Sequence, residues 1–195
     1  EGSRTPWGPA DWVERPAAGI VSVSTPGHGG IKLSPERNAE IPPALRNKSG
    51  WYEEDCESNI VGMYHPEAFP HYKDGDHAAI REACEASVKG WFPDQYTKAT
   101  GREVAVEESS VLRDRAQQAD KEAFRAAHSH EFVTLGNGDT HAAWIPDGYA
   151  ACKARLDDTG EERTFLMPRS EVIHNKSYGV NALVDPTRHL DVTDV

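Results

Sequence analysis

The stretch Gly19-Ile20-Val21-Ser22-Val23-Ser24-Thr25-Pro26-Gly27-His28-Gly29-Gly30-Ile31-Lys32-Leu33 decides how the chain is read. Its first six residues alternate apolar and polar with period two, as a half-buried strand does. Gly27-His28-Gly29-Gly30 interrupts the alternation and Ile31-Lys32-Leu33 resumes it. The pattern predicts a β-hairpin whose glycine-rich tip carries one histidine. Glycines around an imidazole let the backbone approach a ligand closely and expose N–H groups. His28 is suited to general-base or metal-ligand duty. The structural alternative is a tight tip that needs positive φ, with His28 merely exposed. The loop is neither GxGxxG nor a Walker A sequence, since no Lys-Ser/Thr follows, so it gives little support to phosphate-cradling nucleotide binding.

Beyond the hairpin, Ser34-Pro35 reads as the N-cap and first residue of a short helix that Pro42-Pro43 stops. Asn59–Tyr64 reads as a strand ended by Pro66. Asp76 is placed to cap a helix over 77–91, with Ile80, Cys84, Val88 and Trp91 on one stripe. Pro93 starts another helix and Gly101 closes it. Ser109 or Ser110 caps the longest helix, about 110–128, whose stripe of Leu112, Ala116, Ala119, Ala123 and Ala127 is mostly small, with Phe124 alongside. Two hairpins follow, 131–135 with 141–145 and 150–156 with 163–167, and Asn181–Val184 reads as a last strand. The fold class expected is α+β: a mixed N-terminal region with two main helices and a C-terminal antiparallel β-sheet. A single domain over 1–195 is expected, with a possible sub-boundary near 129 that separates the mixed region 1–128 from the β-rich region 129–195.

The 195 residues carry a net charge of -11 at neutral pH. Residues 1–50 hold 6 basic and 5 acidic residues, 51–150 hold 9 and 19, and 151–195 hold 6 and 8, so the middle segment carries nearly all the excess. Such a surface repels phosphate backbones, which argues against direct nucleic-acid binding and suits a partner with a basic surface. The three cysteines, Cys56, Cys84 and Cys152, are widely spaced and include no CxxC, so a disulfide framework or a cysteine zinc site is not expected. A reducing, cytoplasmic setting fits that usage. No apolar run approaches the length of a membrane span.

A second motif, Trp51-Tyr52-Glu53-Glu54-Asp55-Cys56-Glu57, sets three acids behind an aromatic pair. Clustered carboxylates can bind a divalent cation or raise one another's pKa for acid–base work. The alternative is a helix cap or a solvated face. Cys56 with His28 outlines a thiol nucleophile, but the adjacent acids oppose a thiolate. His128-Ser129-His130 with Asp139 and His141 has a spacing that a transition metal can use, although histidine is favoured at a helix end in any case. The tryptophans read first as core anchors.

Taken together, Thr5-Pro6-Trp7-Gly8, Gly19-Ile20-Val21 leading into Ser24-Thr25 and His28-Gly29-Gly30, Trp51-Tyr52-Glu53-Glu54-Asp55-Cys56 and Val184-Asp185-Pro186-Thr187-Arg188-His189 resemble a conserved family of uncharacterised proteins found on bacteriophages, plasmids and neighbouring mobile elements. The resemblance implies an accessory protein acting inside a bacterial cell, and no assigned catalytic residues come with it. Two functions follow as expectations. One is a binder whose acidic middle engages a basic host protein, such as a nuclease or defence factor, through Trp7, Thr25, Gly29, Gly30, Trp51 and Tyr52. The other is a small hydrolase-like enzyme with His28, Glu53, Glu54 and Asp55 in one cleft. No cofactor or resident metal is required by the first; a divalent metal would serve the second.

Overall fold

A computed structural model describes residues 4–173 and 182–195. The chain divides into two units, Glu1–Arg113 and Asp114–Val195. The α+β expectation holds: helices and antiparallel sheets are both well represented. Among the described residues, no helix is long and apolar enough to cross a membrane.

Unit 1 opens with a two-stranded ribbon, β1 (Arg4–Thr5) and β2 (Gly8–Pro9). A four-stranded antiparallel sheet follows, built from β3 (Trp12–Ala17), β4 (Ile20–Ser24), β5 (Gly29–Leu33) and β6 (Trp51–Glu53) in sequence order. The β4–β5 hairpin is the one predicted, with Ile20 opposite Leu33 and Ser24 opposite Gly29. Between β5 and β6 lies α1 (Pro35–Glu40), capped by the Ser34 hydroxyl, which accepts from the Arg37 N–H.

Beyond β6 come α2 (Ser58–Tyr64), α3 (His77–Trp91) and α4 (Pro93–Thr100). Asp76 caps α3 through the N–H groups of Ala78 and Ala79. Gly101 ends α4 in the left-handed region at φ 73°. The core of unit 1 joins the inner sheet face to these helices, with Ile20, Ile31, Leu33 and Tyr52 packed in one cluster with Ile60, Val61, Val88 and Tyr96.

The strand expected over Asn59–Tyr64 is instead the helix α2. Its Gly62 lies against α3 so closely that a Cβ there would overlap Cys84 Sγ. A short apolar run does not distinguish strand from helix by period, and the close contact with α3 settles it. The helix α5 (Ser110–Ala127) starts where expected, with the Ser109 hydroxyl accepting from the Leu112 N–H. Its alanine stripe is exposed: Ala116, Ala119, Ala123 and Ala127 all face solvent.

Unit 2 is a second four-stranded antiparallel sheet of β7 (Phe132–Thr134), β8 (Tyr149–Leu156), β9 (Glu161–Pro168) and β10 (Leu190–Asp191), in the order β10-β9-β8-β7. The short helix α6 (Arg169–Ile173) follows β9. Its core includes Ala150, Cys152, Phe165, Met167, Val172 and Val184. The β8–β9 hairpin is as predicted, but the hairpin of 131–135 with 141–145 does not form. β7 pairs with β8, and Asp139 bridges to Ala151. Gly138, at φ 76°, lies so close to Cys152 and Ala151 that the chain turns back onto β8 and leaves 141–145 outside the sheet. Of the last predicted strand, Leu183 makes an isolated bridge to Val133, and Asn181 lies outside the described residues.

The Asp185–His189 turn is a closed polar network. Asp185 accepts from the Thr187 hydroxyl and from Arg188 Nε. Arg188 grips Glu171 with two bonds of 2.9 Å. Buried His189 accepts the Asp185 N–H at Nδ1, which leaves Nε2 to donate to Glu171 at 3.0 Å. This motif ties the last turn to α6.

Candidate metal centre

The β5–β6 register builds the site. Gly30 stands opposite Glu53, Ile31 opposite Tyr52 and Lys32 opposite Trp51. Alternation then sends Tyr52 into the core, fully buried, and leaves Trp51 and Glu53 on the other face. The Tyr52 hydroxyl donates to Asn38 Oδ1 at 2.7 Å and accepts from the Asn47 N–H at 3.1 Å. Tyr52 is therefore a core residue, and its expected role at a contact surface is corrected.

The three sequence motifs meet on that outer face. Trp7, from the turn between β1 and β2, lies directly over Gly30, where a Cβ would overlap its ring and the Tyr52 carbonyl oxygen. The Trp7 and Trp51 rings stand edge to face, with centroids 5.7 Å apart. Gly29 gives the Glu54 carboxylate room in the same way. Neither glycine has positive φ, so they are there for close approach and not for turn geometry. Thr25 is buried and fastens the tip: its hydroxyl donates to the His28 carbonyl at 2.7 Å and accepts the His28 N–H at 3.2 Å. Of the expected contact residues, Thr25, Gly29, Gly30 and Tyr52 are buried, and Trp7 and Trp51 are half-buried against each other.

His28, Glu53 and Glu54 come together. Each offers one ligand atom, and these atoms all lie within 4.8 Å of one another. Ligands about 2.1 Å from one ion are at most about 4.2 Å apart, so closing round a cation takes a movement of about an ångström. His28 and Glu54 are exposed and free to make it; Glu53 is half-buried and fixed. Glu53 Oε2 accepts the N–H groups of Asp55 at 2.9 Å and Cys56 at 3.3 Å, which aims the carboxylate and leaves Oε1 available. Glu57, which carries no role in the sequence reading, accepts from the Glu53 N–H at 3.1 Å and from Asn47 Nδ2 at 2.8 Å, and so anchors β6. A hydrogen-bonding acid four residues after Glu53 was the only local signal for that role.

Asp55, the fourth expected catalytic residue, is exposed and stands outside the group. Burial pushes the Cys56 thiol up, and Glu53, Asp55 and Glu57 push it further, so it stays protonated and is a poor nucleophile at neutral pH. The histidines after α5 do not gather into a ligand set among the described residues: His128 Nδ1 pairs with Glu131 at 2.6 Å, and Asp139 accepts the His141 N–H. One imidazole from the turn before β5 and two carboxylates at and just beyond the end of β6 make a donor set for zinc or manganese, with coordination positions open to solvent.

No curated protein and no solved structure matches the chain. A family described as Domain of unknown function (DUF7007) matches residues 1–128, which takes in all of unit 1 and α5. The match ends before the Val184–His189 motif, so the family likeness is carried by the N-terminal motifs. The chain belongs to the DUF7007 family, and the His28–Glu53–Glu54 group lies wholly within the family domain.

Proposed function

We propose that unit 1 is a metal-assisted hydrolase-like enzyme whose centre is His28, Glu53 and Glu54. The observation that carries this is the convergence of three ligand atoms within 4.8 Å, one of them from His28 and two from the adjacent Glu53 and Glu54. Three protein ligands with open positions are the pattern of catalytic rather than structural sites. A divalent cation there would lower the pKa of a bound water and supply a nucleophile at neutral pH. Gly29, Thr25 and Glu57 support the ligands by leaving room, fixing the His28 backbone and anchoring β6.

The test is titration of chelator-treated protein with Mn2+ and Zn2+, followed by ester, peptide and phosphoester assays in the presence of the bound metal. One equivalent is expected to bind. His28→Ala and Glu54→Gln are expected to weaken binding by about tenfold or more, while Asp55→Asn leaves it unchanged. Absence of saturable binding, or an equal effect of Asp55→Asn, refutes the reading.

A second reading is favoured by the charge of residues 51–150, which hold 9 basic and 19 acidic residues, and by the exposure of His28 and Glu54. It takes the same acids as a docking face for a basic host protein, as expected of an accessory protein of a mobile element. Binding that survives chelator and His28→Ala, but is lost on charge reversal at Glu53 and Glu54, supports docking over catalysis.

A further inference from the structure

A cleft of about 370 Å³ opens beside β5, lined by Lys32, Arg46 and Lys48 together with Asn38, Ser49 and Gly50. Three cations and no acid line it, in a chain whose net charge is -11. Two of the cations are held in place. Lys32 Nζ donates to the Ser49 carbonyl and lies 5.3 Å from the Trp51 ring centroid. Arg46 donates from Nε to the Ile41 carbonyl at 2.8 Å and from Nη2 to the Ala39 carbonyl at 2.7 Å. Each keeps donors unspent, since an ammonium has three and a guanidinium five. Lys48 is exposed and has no partner among the described residues.

The backbone makes room for this arrangement. Gly50 has φ 70°, and a Cβ there would crowd Lys32 Nζ at 3.3 Å and the Leu33 carbonyl at 3.0 Å. Asn38 is already committed, to the Asn47 carbonyl and the Tyr52 hydroxyl, so it forms the wall. Like charges gathered with no acid in the cleft lining repel one another, and an anion in the cleft removes that cost. Donors from β5, from the segment after α1 and from the turn before β6 match an anion with several oxygens and more than one charge better than a single carboxylate.

We propose that the Lys32–Arg46–Lys48 cleft binds a phosphoryl group, as free phosphate or as a phosphomonoester. Lys32 also lines a second depression of about 180 Å³, where Val13, Val21, Val23 and Trp51 offer apolar surface to the organic part of an ester and Arg4 and Arg15 add further positive charge. The site is independent of the metal centre and is tested without metal.

The experiment is calorimetric titration of chelator-treated protein, at constant ionic strength, with inorganic phosphate, phenyl phosphate and acetate. Saturable phosphate binding with acetate at least about tenfold weaker is expected. Lys48→Glu, which removes no contact within the fold, is expected to weaken phosphate binding by about tenfold or more. Lys98→Glu, the same charge change at an exposed site on α4, leaves it within about twofold. Phenyl phosphate binding more tightly than phosphate assigns the cleft to an ester, and equal binding assigns it to the free ion. Unsaturable binding, or equal losses in Lys48→Glu and Lys98→Glu, overturns the proposal. Melting curves of each variant confirm that the fold is intact.

Discussion

Three glycines within four residues should respond to alanine in three different ways. Gly27 has no atom within 4 Å of a built Cβ and does not have positive φ. Gly27→Ala should be neutral or stabilising by about 0.4–1 kcal/mol, through the unfolded chain. At Gly29 the nearest obstacle is the free end of the Glu54 side chain, with the Val23 carbonyl behind it at 3.0 Å. Gly29→Ala should cost only about 1 kcal/mol of stability but displace the Glu54 carboxylate. On the metal reading, cation affinity falls about 10–100-fold. At Gly30 the obstacles are the Trp7 ring and the Tyr52 carbonyl oxygen. The ring can swing aside; the carbonyl is fixed in the β5–β6 ladder and cannot. Gly30→Ala should therefore cost about 2–3 kcal/mol, in the upper part of the overpacking range. For a domain of the size of unit 1 that lowers Tm by about 8–13 °C. Thermal and urea denaturation followed by circular dichroism, with Mn2+ titration of each variant, reads all three effects. If Gly30→Ala melts with Gly27→Ala, the close approach of Trp7 and β6 is wrong. If Gly29→Ala binds Mn2+ like the unmodified chain while Glu54→Gln does not, Gly29 has no part in placing Glu54.

Tyr52→Phe should destabilise unit 1 by about 1–3 kcal/mol, because Asn38 Oδ1 and the Asn47 N–H both lose their partner below the surface; urea denaturation measures it, and a loss under 0.5 kcal/mol would contradict the described hydrogen bonding. Unit 2 should lose stability to acid in a defined window. The Thr187 hydroxyl and N–H, and then Arg188, hold the Asp185 carboxyl at about 2, below its ordinary 3.8. A carboxyl depressed in the folded state adds stability that is present above its unfolded value and lost as pH falls through its folded one. Arg188 and His189 lower Glu171 in the same direction. The urea midpoint should therefore fall between about pH 4 and pH 2, and Asp185→Asn should flatten that fall; an unchanged slope would remove Asp185 from the account.

The parts of the fold that were legible in the sequence are those fixed by neighbours along the chain. Asp76 announces α3 because its carboxylate reaches N–H groups two and three residues on. Gly101 announces the end of α4 because only glycine takes φ 73° there without strain. What was not legible depends on distant partners. Ser58–Tyr64 has no side-chain cap and too few residues to show a period, and its helix is held by Gly62 against Cys84, 22 positions away. Residues 141–145 read as a strand on local pattern alone, yet the edge they would have taken on β7 belongs to β8.

The candidate site falls between these cases. The residue types were legible, but their meeting rests on the pairing of Gly30 with Glu53, 23 positions apart in the chain. The core enforces that pairing, not the site. A slip of one position would turn every β6 side chain to the opposite face. Tyr52 would leave its two hydrogen-bonding partners for solvent, and Glu53 would enter an apolar core, where an unpaired carboxylate costs several kcal/mol. The burial of one aromatic residue thus sets the position of the carboxylate beside it to within a fraction of a residue. Glu53 is held by the fold, while His28 and Glu54 are exposed, and on the metal proposal these two are the side chains that move to complete the site.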